Sequence, residues 1–166
     1  NGASAGINMS LNDVEGYGHG ILVNNLGSAE TNISISGHIL GTGVNSKGIY
    51  LNGSVANITI LKSGNVTGNK LGIETGKEGD TIELRGSVES SNGSAINLGG
   101  GDDNLTLDET ASIKGAALGG SGVDTVYFNF SKTNVENFFY EPLTDSINLT
   151  VNSEDKVFKD FEFFRF

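Results

Sequence analysis

Asp102 and Asp103 stand side by side in this chain, and two carboxylates near one bond are what general acid and base work requires; His19, flanked by Gly18 and Gly20, would add a group that titrates near neutrality. Gly119 to Tyr127, GGSGVDTVY, fits the nonapeptide GGxGxDxUx, in which glycines turn the chain tightly and the Asp ligates Ca²⁺. Leu98 to Asp103, LGGGDD, keeps most of that pattern. Asp80 and Glu83 lie close to Arg85, a grouping of acids beside a strong base. There is no cysteine nucleophile, no Ser, His, Asp order and no phosphate-cradling loop.

The elements that must position these residues are written in a repeat. Short apolar pairs with period-two alternation are separated by Gly, Asn, Ser and Thr, which reads as brief strands joined by turns. One strand recurs as Ile33/Ile35, Ile58/Ile60, Ile82/Leu84, Leu105/Leu107, Val126/Phe128 and Ile147/Leu149, in steps of 25, 24, 23, 21 and 21 residues. A second recurs at Ile39, Val66, Val88, Ile113, Val135 and Val157. A Gly-Ile element recurs as Gly6-Ile7, Gly20-Ile21, Gly48-Ile49, Gly72-Ile73 and, with Ala for Gly, Ala95-Ile96. Three registers drifting together mean a solenoid. The expected fold is all-β, a three-sided parallel β-helix of about six to seven coils of 21–28 residues. Successive coils would lie about 4.8 Å apart, so six would make a rod about 30 Å long.

That repeat decides the chemistry. In a calcium roll the nonapeptide returns every nine residues, so that neighbouring turns share each ion, whereas Asp103 and Asp124 are one coil of 21 residues apart. Asp102, Asp103 and Asp124 are the Ca²⁺ candidates, but the spacing argues for tight glycine corners whose Asp accepts backbone amides, and no cofactor is expected. The paired Asp and the Gly-His-Gly invite comparison with pectin-cleaving β-helix hydrolases. In that family the paired Asp precedes the Gly-His-Gly by about one coil and an Arg-x-Lys follows. Here His19 comes 83 residues before Asp102, and the only arginines are Arg85 and Arg165. Glu83 and Arg85 read as a solvated pair on one outward strand face, not as the acid cluster and base of a pectate lyase. No catalytic residue is assigned, and the chain is read as a non-enzyme.

Composition narrows the partners. The 166 residues carry a formal charge of −10, which opposes nucleic acid and anionic membrane surfaces. No 18-residue apolar run is present to insert into a membrane. The absence of cysteine points to a bacterial surface or secreted protein that relies on its ladders. All 25 glycines lie at or before Gly122 and all nine phenylalanines after it. This divides one structural domain into regular Gly/Asn-rich coils over 1–122 and a Phe-rich continuation of the β-helix over 123–166, with Phe128, Phe130, Phe138, Phe161 and Phe163 as core fillers. The nine Asn-x-Ser/Thr matches follow from composition, and stacked asparagines such as Asn57 and Asn104 are expected to form side-chain ladders. The pattern is already running at Asn1 and still running at Phe166, which reads as a piece of a longer protein.

The motifs GIYLNG (48–53), NITI (57–60), SGNVTG (63–68), GGSGVDTV (119–126), VENF (135–138) and FKDFEF (158–163) resemble, in that order, the GIxL, xITI, SGxITG, GGxGxDTL and NFExL segments of bacterial autotransporter passengers. The resemblance covers nearly the whole chain. It implies a right-handed parallel β-helix delivered to the extracellular space or the bacterial cell surface through the outer membrane. It further implies a binding module, an adhesin or host-directed virulence ligand, whose partner is a host cell-surface protein or glycan, or another copy of itself. A passive spacer and a polysaccharide-degrading enzyme are the alternatives. The largest outward insertion, Leu26, Gly27, Ser28, Ala29, Glu30 and Thr31, is the expected binding loop.

Overall fold

Alternation along each short segment turns one face inward. On β7 (Ala56–Ile60), Ile58 and Ile60 are buried while Asn57 and Thr59 lie between them on the outer side. A computed structural model, which describes residues 6–25 and 29–166, stacks such strands into three sheets. The first sheet runs β1 (Ile7–Leu11), β4 (Thr31–Ile35), β7, β10 (Thr81–Leu84), β13 (Asn104–Asp108), β16 (Thr125–Asn129) and β20 (Phe163–Arg165). The second holds β2 (Val14–Gly16), β5 (His38–Gly41), β8 (Asn65–Gly68), β11 (Ser87–Ser90) and β14 (Ser112–Lys114). The third runs β3 (His19–Asn25), β6 (Lys47–Gly53), β9 (Leu71–Glu74), β12 (Ile96–Asn97), β15 (Ala116–Leu118), β19 (Glu154–Lys159), β18 (Ser146–Val151) and β17 (Val135–Glu141). All pairings are parallel except those of β17 with β18 and β18 with β19. The chain is an all-β parallel β-helix.

The core is a set of vertical columns. Leu11, Ile35, Ile60, Leu84, Leu107 and Phe128 share one register, and Met9, Ile33, Ile58, Ile82, Leu105, Val126 and Phe164 share the next. Val14, Ile39, Val66, Val88 and Ile113 fill the second sheet. Ile21, Ile49, Ile73, Ile96, Ala117 and Phe158 fill the third. The glycine of each Gly-Ile element makes room for this packing, because a Cβ at Gly48 would sit 2.5 Å from Val66 Cγ1 and one at Gly72 2.5 Å from Val88 Cγ1.

Five three-strand turns are complete, fewer than the six to seven expected, because the sixth leaves the repeat. After β16 the chain does not lay a strand on β14. It makes a short 3-10 turn at Lys132–Asn134 and the antiparallel β17–β18 hairpin, then returns as β19 on β15 and as β20 on β16. Val135 and Val157 are therefore not in the second sheet, nor Ile147 and Leu149 in the first. Period-two alternation is common to parallel and antiparallel strands and carries no direction. Gly6-Ile7 likewise belongs to the first sheet, where Ile7 pairs with Thr31.

The aromatic residues pack around Phe128, whose ring lies 5.4 Å from Phe130, 6.1 Å from Phe158, 6.3 Å from Phe164 and 4.6 Å from Phe166. Phe163 and Phe138, expected as fillers, are exposed instead: β20 turns Phe164 inward, and Phe138 lies on β17, the edge strand of the antiparallel hairpin. Glu154 of β19 ties the hairpin to the second sheet, accepting from Ser112 on β14 and pairing at 2.7 Å with the ammonium of the buried Lys156. On the outer face of the first sheet, Asn57 donates to Asn32 at 2.9 Å and Asn32 to Asn8 at 3.0 Å. Asn104 shares this column but is separated from Asn57 by Thr81, so the ladder expected between them does not form.

Candidate functional site

The third sheet and the corner that follows it form a groove with polar and aromatic walls. Outward positions of this sheet stack Leu22, Tyr50, Glu74, Asn97 and Leu118. Tyr50, Asn52, Glu74, Lys77 and Asn97 wall a groove of about 500 Å³ whose floor is the backbone of Gly76, Gly99, Gly100 and Gly101 with Ser121. The floor is bare because the corners demand glycine. Gly99 and Gly120 have φ +92 and +110 and lie one above the other, so that a Cβ on Gly120 would meet Gly99 O at 2.2 Å. Gly101 and Gly122 repeat this at φ +106 and +136, with a contact of 1.9 Å. Left-handed backbone and one-coil stacking together exclude a side chain.

At one end of the groove the Lys47 ammonium lies 3.4 Å from the Tyr50 ring centroid and 2.6 Å from Glu74 Oε2. Cation–π attraction and an ion pair thus hold the phenol ring against the sheet. His19 sits beside it, its ring centroid 5.5 Å from that of Tyr50, and its Nδ1 accepts the Lys47 backbone N–H at 3.2 Å. Burial and then the Lys47 ammonium hold the imidazole below its ordinary value. His19 is therefore neutral at physiological pH with its proton on Nε2.

Behind the floor, on the inside of the same corner, stands a column of acids. Asp80, Asp103 and Asp124 each end a corner just before β10, β13 and β16, and all three are buried. Asp80 Oδ1 accepts the Ala56 N–H at 2.7 Å, Asp103 Oδ1 that of Asp80 at 2.6 Å and Asp124 Oδ1 that of Asp103 at 2.9 Å. Glu162 completes the series by accepting the Asp124 N–H at 2.6 Å. Asp80 Oδ2 accepts from Gly76 N–H at 3.3 Å, whereas Oδ2 of Asp103 and of Asp124 are buried without a partner. Desolvation raises all three carboxyls above their ordinary value, Asp103 to about 7. Among the described residues no group of three or more His, Asp or Glu side chains is arranged to hold a metal ion.

The other candidates from the sequence are scattered. His19 is on β3 and Asp102 follows β12, three strands further along the third sheet, so they share no site. Asp102 Oδ1 accepts the Val123 N–H at 3.0 Å, a corner role, and Arg85 Nε donates to Glu83 at 3.0 Å with Asp108 at 3.6 Å. Of the expected binding loop, Leu26, Gly27 and Ser28 lie outside the described residues. Ala29 O accepts from Asn25 at 2.9 Å, and Glu30 accepts from Asn57 at 3.3 Å. Thr31 is not in a loop: it opens β4 and is buried, because it occupies the inward column of Ala56, Asp80, Asp103 and Asp124, where any side chain is covered by the next coil. The groove residues were missed because they are single outward polar positions without a motif. Their signal was the tyrosine inside GIYLNG, at the outward position of a strand whose neighbours on that face are Glu and Asn.

No protein-family model, curated protein or solved structure matches this chain. Among the described residues no helix is long and apolar enough to cross a membrane.

Proposed function

We propose that this chain is a surface recognition module, a β-helix of the autotransporter-passenger kind, that binds an extended glycan of a host surface along the groove of its third sheet. The observation that carries this reading is the Tyr50 ring held by Lys47 and Glu74 at the end of a shallow, open groove with Asn52, Asn97 and Lys77 on its walls. An aromatic plane beside amide and charged groups suits a sugar, whose C–H faces lie on rings and whose hydroxyls exchange hydrogen bonds with amides. Its rungs lie about 4.8 Å apart, which sets Tyr50, Glu74 and Asn97 in succession along an extended polymer. Glycine backbone on the floor allows close approach.

Among the described residues Glu74 is the one carboxylate on the groove wall, whereas glycoside hydrolysis ordinarily needs two. That favours binding over cleavage. A pure spacer would have no use for an immobilised tyrosine facing a groove. The test is binding of the purified chain to an array of host-type oligosaccharides, followed by titration of any hit against Tyr50→Ala and Asn97→Ala. Losses of roughly 10-fold or more in each are expected, the scale of a hydrogen bond or ring contact. A hit bound equally by both variants would move the site off this groove, and no hit on the array or on cultured cells would leave the spacer reading in front.

A further inference from the structure

The inner column of acids behind the groove is unexplained by recognition. Asp103 and Asp124 are 1% and 0% exposed, occupy adjacent rungs and each present one oxygen to the interior with no donor. Adjacent rungs lie about 4.8 Å apart, where two ionised carboxylates out of water repel strongly. The other charged residues of the four stacked corners are Lys77 and Glu78 beside Asp80, Asp102 beside Asp103, and Asp160 and Glu162 above Asp124. The charged groups that act on the three carboxyls, Glu78, Asp102, Asp160 and Glu162 besides one another, are all acids, and only hydrogen bonds from backbone amides and from Thr75 to Asp80 work against them. Lys77 is exposed at the groove wall. The charge of the column is thus reinforced by its surroundings, and a bound proton is the simplest way to neutralise it.

We propose that the Asp80–Asp103–Asp124 column is a proton-holding spine that keeps a proton at neutral pH, centred on Asp103, and whose deprotonation loosens the glycine corners that floor the groove. In Asp103 and Asp124 one carboxyl oxygen is committed to the amide of the corner below, so the proton resides on the free Oδ2 side. A protonated carboxyl still accepts that amide through Oδ1, and the ladder is kept while the repulsion is removed. The consequence is a rod whose corners are tighter on the acid side of neutrality. The inference stands on the geometry of the column and not on the identity of any groove ligand.

The sign follows from proton binding. The folded chain holds a proton that the unfolded chain releases near the ordinary carboxylate range, so stability falls as pH rises from about 4 towards about 7 and levels off above. His19, held below its ordinary value, acts the opposite way, and a variant is needed to isolate the column. The experiment is thermal unfolding of the wild type and of Asp103→Asn between about pH 5 and about pH 8, with EDTA and again with added Ca²⁺. Asparagine keeps the oxygen that accepts from Asp80 and replaces the protonated oxygen by an amide. The expected result is a wild-type Tm that falls with pH and an Asp103→Asn Tm that is nearly level and higher than wild type at the alkaline end. Infrared difference spectra of the wild type between about pH 6 and about pH 9, where ordinary carboxylates stay ionised, should show a protonated-carboxyl C=O band being lost; this serves even if the variant does not fold. Absence of that band, or an Asp103→Asn protein whose Tm has the wild-type slope, would overturn the proposal. So would a Tm raised by Ca²⁺ in the wild type and not in the variant, which would assign the column to a cation instead.

Discussion

Phe128→Ala would test whether the aromatic end and the regular coils form one core. Phe128 continues the column of Leu107 below it, is 4% exposed, and touches the rings of Phe130, Phe158, Phe164 and Phe166, which come from three separate segments of the last 40 or so residues. Truncating a buried Phe costs about 3–5 kcal/mol through lost transfer energy and the cavity left behind. The ring contacts place this site towards the upper end, about 4 kcal/mol, because each offset or edge-on pair adds about 0.5–1.5 kcal/mol beyond area. Against a total of roughly 5–15 kcal/mol for an ordinary domain, that is a large fraction. The control is Phe139→Ala, on the exposed side of β17 at 51%, where about 1 kcal/mol or less is expected. Urea unfolding followed by far-UV and near-UV circular dichroism reads both. If the end packs as described, Phe128→Ala lowers the far-UV midpoint of the whole rod as well as the aromatic signal. Equal midpoints for the two variants, or loss of the near-UV signal with an unchanged far-UV transition, would refute the single continuous core.

Gly122→Ala is expected to cost at least about 2 kcal/mol, since φ +136 and a 1.9 Å approach to Gly101 O both oppose a Cβ, whereas Gly18→Ala, which meets nothing within 4 Å, should stay within about 0.5 kcal/mol; chemical denaturation separates them. Lys47→Met should raise the His19 titration midpoint seen by NMR, because the ammonium that disfavours the imidazolium is gone while Glu74 remains, and an unchanged midpoint would show that burial alone sets it. Because the two side chains are only 12% and 24% exposed, removing the ammonium leaves Glu74 largely covered and without its partner, and a cost of about 1–3 kcal/mol is expected. In energy, holding Asp103 at about 7 against an ordinary 3.8 corresponds to at most about 4 kcal/mol lost between acid and mildly alkaline pH, and isothermal denaturation of wild type against Asp103→Asn at the two ends measures it.

The β-helix was legible in the sequence because each coil writes its apolar columns at a near-constant interval, and stacking in register is the one arrangement that buries them all. The corner role of Gly-x-Gly-x-Asp was legible for the same reason: its copies return at the coil period. The end of the second sheet was not. Val135, Ile147 and Val157 keep the alternation and nearly the spacing, yet β17 to β19 run antiparallel, and a period of two is the same in either direction. Residues 26–31 interrupt the pattern and read as a loop, but pairing of Thr31 with Ala56 places its side chain in the interior column. Nor could Phe163 be told from Phe164, since one residue of register exchanges the two faces.

What the sequence by itself determined, then, is the class of fold, the apolar columns of the regular coils between Ile21 and Phe128 and the glycine corners, because these depend on local alternation, chain stiffness and a repeat interval. Tertiary structure alone decided which acids meet. Asp80, Asp103 and Asp124 are separated by 23 and 21 residues, and their side chains come into line with the preceding corner's amides only once whole coils have closed and stacked. The same holds for the groove, whose tyrosine, lysine, asparagines and bare glycine floor come from four successive coils. Contacts between coils depend on the summed length of three strands and three turns, and a difference of one residue in any of them would turn those groups to another face.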